Sequence, residues 1–295
     1  MVGSEEGSSV VRLAPKVKSG IGESPFWDLS QRAFVWVDIA SQEVRRFQPQ
    51  TGQYEAWRTG QHVGAVVPRE SGGMVVALGQ GFCSLDPVDG SIQLLAAVDV
   101  GGFDVRLNDC QCDSVGRIWG GTEGQPQHSA RLYRLDPDHS LTEMVTGVSV
   151  SNGIGWSPDD RLMYYIDSPE RRVDVFDYDL GSGEIANRRP FVIVPCDFGV
   201  PDGLCVDEVG MVWVALWGGA ALARYTPEGQ LDRKVAVPAL NVTSCTFGGD
   251  DLSSLVITTA GDGMTSIQQA AYPDAGGLFV HHPGVRGNPP KSYAG

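Results

Sequence analysis

The sequence predicts an all-β protein folded as a six-bladed β-propeller. Three observations predict it. A strand-like unit recurs six times at nearly even spacing, glycine and proline are abundant (38 and 18 of 295 residues), and long helical periodicity is hard to find. A chain of short strands joined by tight turns has this composition. The hydrophobic fraction of 42% supports a sizeable core. Closed all-β architectures of this length often form one unit, so we expect a loose tail over residues 1–10 and a single propeller domain over residues 11–295.

Each repeat opens with a polar Gly/Asp turn and continues as an apolar strand around an aromatic or β-branched anchor. The six copies are residues 30–39 around Trp36, 70–78 around Val75, 113–122 around Trp119, 157–167 around Tyr164, 207–216 around Trp213 and 250–260 around Val256. The anchors are 39, 44, 45, 49 and 43 residues apart. A second strand follows each copy, at residues 43–52, 81–90, 130–137, 172–183, 221–229 and 277–284. Several end on an apolar-x-Pro step, as in Phe47 with Pro49 and Tyr225 with Pro227. Several short strands per unit at such a period are the signature of propeller blades. One blade cannot bury both faces of its sheet, whereas six in a ring do, and the ring shelters their edges. Residues 12–18 are expected to add an outer strand to the last blade and close the ring.

One strand upstream of the anchors, polar residues recur at a shared offset. Glu23 lies 13 residues before Trp36, Asn108 11 before Trp119, Asn152 12 before Tyr164 and Asp202 11 before Trp213. The other two blades place Gly64-Ala65 and Ser244 there. Any one of these could be a turn residue bonding its own backbone. Four at one repeat position point instead to the innermost strands, where equivalent residues converge on the axis. Carboxylates converging there repel one another unless a cation neutralises them. Glu23 and Asp202 with an Asn152 amide oxygen form an all-oxygen set suited to Ca²⁺, Mg²⁺ or Mn²⁺, and three protein ligands leave positions open for water and substrate.

A net charge of −14 disfavours nucleic acid and anionic membrane as partners. The first residues are small and acidic with no apolar run, so no signal peptide is expected, and no stretch approaches the length of a membrane span. None of the six cysteines (Cys83, Cys110, Cys112, Cys196, Cys205, Cys245) forms a Cys-x-x-Cys pair. We read them as reduced thiols of a cytoplasmic protein. No Gly-x-Ser-x-Gly elbow occurs, and the five histidines lie outside the four shared turns, which argues against a Ser–His hydrolase. His281 and His282 should point to opposite faces of a strand and are read as surface residues. His128 is a lesser candidate for touching substrate.

The residues around the shared turns also carry a resemblance. Residues 22–27, 106–109 with Gly116-Arg117 and Gly121-Thr122, 151–158 with 164–168, 201–207 and 243–249 resemble the senescence-marker-protein/regucalcin/gluconolactonase family, which includes luciferin-regenerating enzymes. The likeness runs from about Lys18 to Gly295. It implies a six-bladed propeller, one divalent cation and hydrolysis of a lactone, either a sugar lactone or another small-molecule lactone. It implies that Glu23, Asn152 and Asp202 hold the metal, that Arg106 and Asn108 bind substrate, and that Asp202 is the general base. Ca²⁺ is the expected ion; family members also bind Zn²⁺, Mg²⁺, Mn²⁺ or iron. The alternative is a non-catalytic, calcium-binding regulatory propeller of the regucalcin kind.

One departure stands out. In sugar-lactonase relatives the turn resembling Gly121-Thr122 is followed by Met and a longer acidic lid, whose Glu contributes to substrate binding. Here Glu123 stands at the Met position and residues 123–128 lead back quickly to a strand at Arg131. The lid is expected to be short, and Glu123 is not assigned the lid glutamate's role.

Overall fold

The six repeats fold into six four-stranded antiparallel sheets, each a blade of a closed ring. The structure, a computed structural model, describes residues 10–14, 16–79, 81–99 and 104–295, with only the backbone of Asp104. Apart from Val10, the tail expected over residues 1–10 lies outside the described residues. From the axis outward, the first blade runs Gly22–Asp28, Ala33–Asp38, Glu43–Phe47 and Tyr54–Arg58. The first strands of the next five blades are Val63–Pro68, Asp104–Cys112, Ser151–Trp156, Val200–Val206 and Asn241–Gly248. Each of these touches the first strand of its neighbours all the way round.

The repeat anchors sit where burial is most complete. Trp36, Trp119, Tyr164 and Trp213 are at most 1% exposed. Hydrophobic residues fill the gaps between blades: six clusters form, one between each adjacent pair, including the pair that joins the sixth blade to the first. The buried indoles still need acceptors. Trp119 Nε1 donates to Asp113 Oδ2 and Trp213 Nε1 to Asp207 Oδ2, both at 3.1 Å, and each aspartate lies six residues upstream of its tryptophan. Trp36 Nε1 donates to Ser19 Oγ at 3.2 Å.

The N-terminal segment closes the ring, one residue earlier and for a shorter run than the sequence suggested. Val11–Arg12 pairs with Val280 and Phe279 of the last blade, and Leu13 N donates to Leu278 O at 2.8 Å before the chain leaves the ladder. Between the second and third strands of that blade lies a helix, Ser266–Ala271, started by a Thr265/Gln268 capping box. Among the described residues no helix is long and apolar enough to cross a membrane.

His282 lies just past the end of the strand Phe279–His281 and is a surface residue as expected, but His281 is not. It is 2% exposed and packs edge-on against Trp213 of the fifth blade, with ring centroids 6.3 Å apart, while His282 is exposed. Its strand, Phe279–His281, is flanked at both edges by Ser254–Ala260 and Val11–Arg12, and all three of its residues are buried. Burial pushes the His281 imidazole down to about 4, leaving it neutral. All six cysteines are free thiols, with Cys205 and Cys245 Sγ atoms 3.5 Å apart.

Candidate metal centre and substrate pocket

The shared offset has a structural cause. In all six blades the ladder between first and second strands slips at the polar position: between Glu23 and Phe26, Val63 and Ala65, Leu107 and Cys110, Ser151 and Ile154, Pro201 and Leu204, and Val242 and Ser244. A bulge leaves a residue out of the pairing and re-aims side chains. Six equivalent bulges at one height turn the side chains of four blades toward the axis.

Small residues let the inner strands come that close. A Cβ on Gly203 would sit 2.2 Å from Ser244 Oγ. One on Gly153 would sit 2.6 Å from Leu204 N, and one on Gly64 would lie 2.4 Å from the Leu107 carbonyl oxygen. Gly153 and Gly203 directly follow Asn152 and Asp202, so each polar side chain stands beside a glycine that permits the crossing. In the first blade Ser24 takes that place. It adopts a left-handed φ of 49°, and its hydroxyl is 3.1 Å from Val66 N in the second blade.

The side chains gather in one pocket, lined by Ile21, Glu23, Ile39, Arg106, Asn108, Glu123, Asn152, Ser168, Val200, Pro201, Asp202 and Trp217. All five residues singled out from the sequence are there. Glu23, Asn108, Asn152 and Asp202 are each 6 to 7% exposed. Glu23 Oε2 accepts from Ser24 N at 2.8 Å.

A hydrogen-bond relay orients the two amides. The Ser168 hydroxyl donates to the Pro201 carbonyl at 2.7 Å, so its oxygen can only accept from Asn152 Nδ2, 2.9 Å away. Asn108 Nδ2 donates to the Ser151 carbonyl at 2.8 Å and, more weakly, to Asn152 Oδ1 at 3.3 Å. The assignment leaves Asn152 with its amide oxygen on the side away from Ser168. The loops that feed these strands are pinned too. Asp38 accepts from Gly20 and Ile21 amides, and Asp167 from those of Ser149 and Val150.

Electrostatically the pocket is overloaded with acid. Burial, then the Asp202 and Asp109 charges, push the Glu23 carboxyl well above the ordinary carboxylate range. Burial, then Asp109 and Glu123, push Asp202 up in the same way, against a hydrogen bond from Asn152. Asp109, next in the chain to Asn108 and 6% exposed, is raised to about 7 by burial although the Cys110 amide favours its charge. Among the described residues, no three His, Cys, Asp or Glu side chains are grouped to hold an ion by themselves. A metal here would therefore depend on the Asn152 amide as well as on two carboxylates. The donor set fits a hard cation: two buried carboxylates with raised pKa values, Glu23 in part through the Asp202 charge, plus an amide oxygen fixed by its neighbours.

Arg106 and Glu123 line the same pocket. Arg106 Nη2 is 2.5 Å from Glu123 Oε1, while Arg106 Nη1 is buried and has no partner. Glu123 is thus a pocket residue that the sequence reading passed over. Its signal was the ladder: Arg106 and Glu123 are paired across the strands Asp104–Cys112 and Ile118–Gln125, on one face. As expected of a short lid, the second strand continues past Thr122 to Gln125 and the next, Ala130–Leu135, follows after four residues. His128 does not line the pocket; its Nδ1 meets the Gly147 carbonyl and Ser149 Oγ.

With this geometry in place, the relatives are informative. The profile of the SMP-30/Gluconolactonase/LRE-like region family matches residues 21–261, a span that holds every residue lining the pocket. The chain belongs to this family. Within it, regucalcin of Danio rerio is 42% identical over 291 residues, covering 97% of this chain and 98% of its own length. Regucalcin of Homo sapiens is 38% identical over 283 residues, covering 93% of this chain and 95% of its own. A solved luciferin-regenerating enzyme is 29% identical and superimposes with a TM-score of 0.90, over 98% of this chain and 100% of that one. Membership and fold therefore agree with the six-bladed ring built from the repeats.

Proposed function

We propose that this family member is a divalent-metal-dependent lactonase, opening a small-molecule lactone to its hydroxy acid, with Ca²⁺ as the resident ion. The observation that carries the reading is the pairing, in one axial pocket, of two buried carboxylates and an oriented amide oxygen with an unpartnered arginine donor. A buried set of acids calls for a cation, and an unpartnered buried donor calls for a substrate oxygen. Gluconolactonases give the family part of its name.

Glu23, Asn152 and Asp202 hold the ion, and a dication there supplies Lewis-acid polarisation of the ester carbonyl. Arg106 Nη1 donates to a substrate oxygen, and Asn108, its amide nitrogen engaged by Ser151, offers its amide oxygen to a substrate hydroxyl. Asp202 takes a proton from the attacking water at one carboxylate oxygen. The acyl carbon–ring oxygen bond then breaks, and the proton returns to the leaving alkoxide. Ile21, Ile39, Val200 and Trp217 provide apolar walls that limit bulk water. We place the protein in the cytoplasm, since none of its six thiols is paired. With its net charge of −14 we expect neither nucleic acid nor membrane as a partner.

The test is acid release from a panel of aldonolactones and aliphatic lactones, with and without chelator. Asp202→Asn should lower kcat by about 10²–10⁴-fold, the range of a positioned general base. Calorimetry with Ca²⁺ on the same variant separates lost chemistry from a lost ion. Near-normal turnover with the ion still bound would remove Asp202 from the base role. The curated relatives named regucalcin favour a second reading, a calcium-binding regulator without turnover. Absence of chelator-sensitive hydrolysis across the whole panel, with Ca²⁺ still binding, would select it.

A further inference from the structure

An arginine in a substrate pocket ordinarily takes a carboxylate or phosphate with both prongs of its fork. Arg106 is not free to do so. Its Nη2 is held by Glu123 Oε1 at 2.5 Å, while Nη1 is buried without a partner. Glu123 is no passing neighbour. It pairs with Arg106 in the ladder on one side and bridges to Val150, at the edge of the next blade, on the other. Both side chains are about three-tenths exposed (29% and 28%), so the pair meets whatever enters.

The charge balance points the same way. Glu23, Glu123 and Asp202 line the pocket, and Arg106 is the one cation among its described lining residues. A dication held by Glu23 and Asp202 would bring this lining to neutrality, with no positive surplus for an anionic substrate. A hydroxyl suits the corner, because it can accept from Arg106 Nη1 and donate to Glu123. A carboxylate can only accept, and it would meet Glu123 as a like charge.

We propose that Glu123 is a charge filter that occupies Arg106 and restricts the pocket to uncharged, hydroxyl-bearing ligands, excluding those that carry a carboxylate or phosphate. The lactone part of this substrate class rests on the lactonase reading above; the discrimination itself is a property of binding and is measured without turnover. Two pairs of probes differ only in replacing a CH₂OH by a carboxylate. Methyl β-D-glucopyranoside and methyl β-D-glucopyranosiduronate have no lactone to hydrolyse and report binding by calorimetry. Glucono-1,4-lactone and glucaro-1,4-lactone report hydrolysis.

The Ca²⁺-loaded wild-type protein should bind the neutral glycoside about tenfold more tightly than the anionic one, the scale of a like-charge contact screened by solvent. Glu123→Gln keeps the shape, frees Arg106 and should shift that ratio about tenfold toward the anion. Glu123→Ala, which also removes the charge, gives the same reading should the glutamine variant fail to fold. A ratio unchanged in the variants, or no detectable binding of the neutral glycoside by wild type, overturns the filter. A shifted binding ratio with no hydrolysis of either lactone keeps the filter and removes the lactonase reading. Hydrolysis of both lactones with an unchanged ratio does the reverse.

Discussion

Glu23, Asp109 and Asp202 are acids placed where burial opposes their charge. Their raised pKa values have a consequence for stability. A carboxyl raised in the folded state keeps a proton that the unfolded chain has already released. Its stabilising contribution is fully present below the unfolded value, about 4, and is lost as pH rises through the folded value. For Asp109 that window ends at about 7, and Glu23 and Asp202 act in the same sense. Surface aspartates held low by turn hydrogen bonds, such as Asp89 and Asp138, titrate below this window. We therefore expect the chelated protein to lose stability from pH 5 to pH 7, on the order of 1 kcal/mol per pH unit for each carboxyl that stays protonated. Added Ca²⁺ should restore much of it and bind more tightly as pH rises, because ion binding displaces these protons. Urea midpoints at the two pH values, with and without Ca²⁺, check this. Chelated protein that gains stability across the window would show that the three acids are not held protonated.

The first strand of each blade does two jobs at its bulge: it aims a side chain at the axis and lets the neighbouring strand pass close by. Gly203 is the clearest case, because an added Cβ would meet both the Ser244 side chain and its Cα, at 2.2 to 2.8 Å. Gly203→Ala should cost about 1–3 kcal/mol, as overpacking does, and should weaken Ca²⁺ binding through the displaced Asp202. Pairing it with Ser244→Gly should recover part of both losses, and thermal melting with calorimetry reads each. A Gly203→Ala protein as stable as wild type would mean that the inner strands have slack. The offset of Glu23, Asn108, Asn152 and Asp202 from their anchors was visible in the chain because each bulge lies at the same place in its repeat. The bulges were not, since a slipped ladder leaves no mark on a single strand.

The ring as a whole depends on a short join. Val11–Arg12 completes the sixth sheet, Arg12 pairs with Asp274 at 2.6 Å, and Thr243 Oγ1 reaches the Gly22 carbonyl at 2.5 Å to link the last inner strand to the first. Without the N-terminal strand the last blade would have three strands and an open edge. Removing residues 1–12 should lower the thermal midpoint by several degrees, as expected for a loss of about 1–2 kcal/mol in a chain of this size. The axial pocket lies away from that outer edge, so Ca²⁺ affinity measured well below the midpoint should change little. An unchanged midpoint would show that the inner strands close the ring unaided.

The blades, their number, their buried anchors and four axial polar positions were legible in the chain. Periodicity in sequence becomes rotational symmetry when every unit must cover its neighbour, so equivalent residues have to meet. What lay outside that symmetry was not legible. His281 looked exposed because alternation along a strand assigns it a face but does not say what covers that face. Glu123 was passed over because it has no counterpart at the shared offset and became a pocket residue through its ladder partner Arg106. Sequence periodicity brings Glu23, Asn108, Asn152 and Asp202 to the axis, whereas pairing across strands, a distance set by the folded backbone, places Glu123 beside Arg106 in the same pocket.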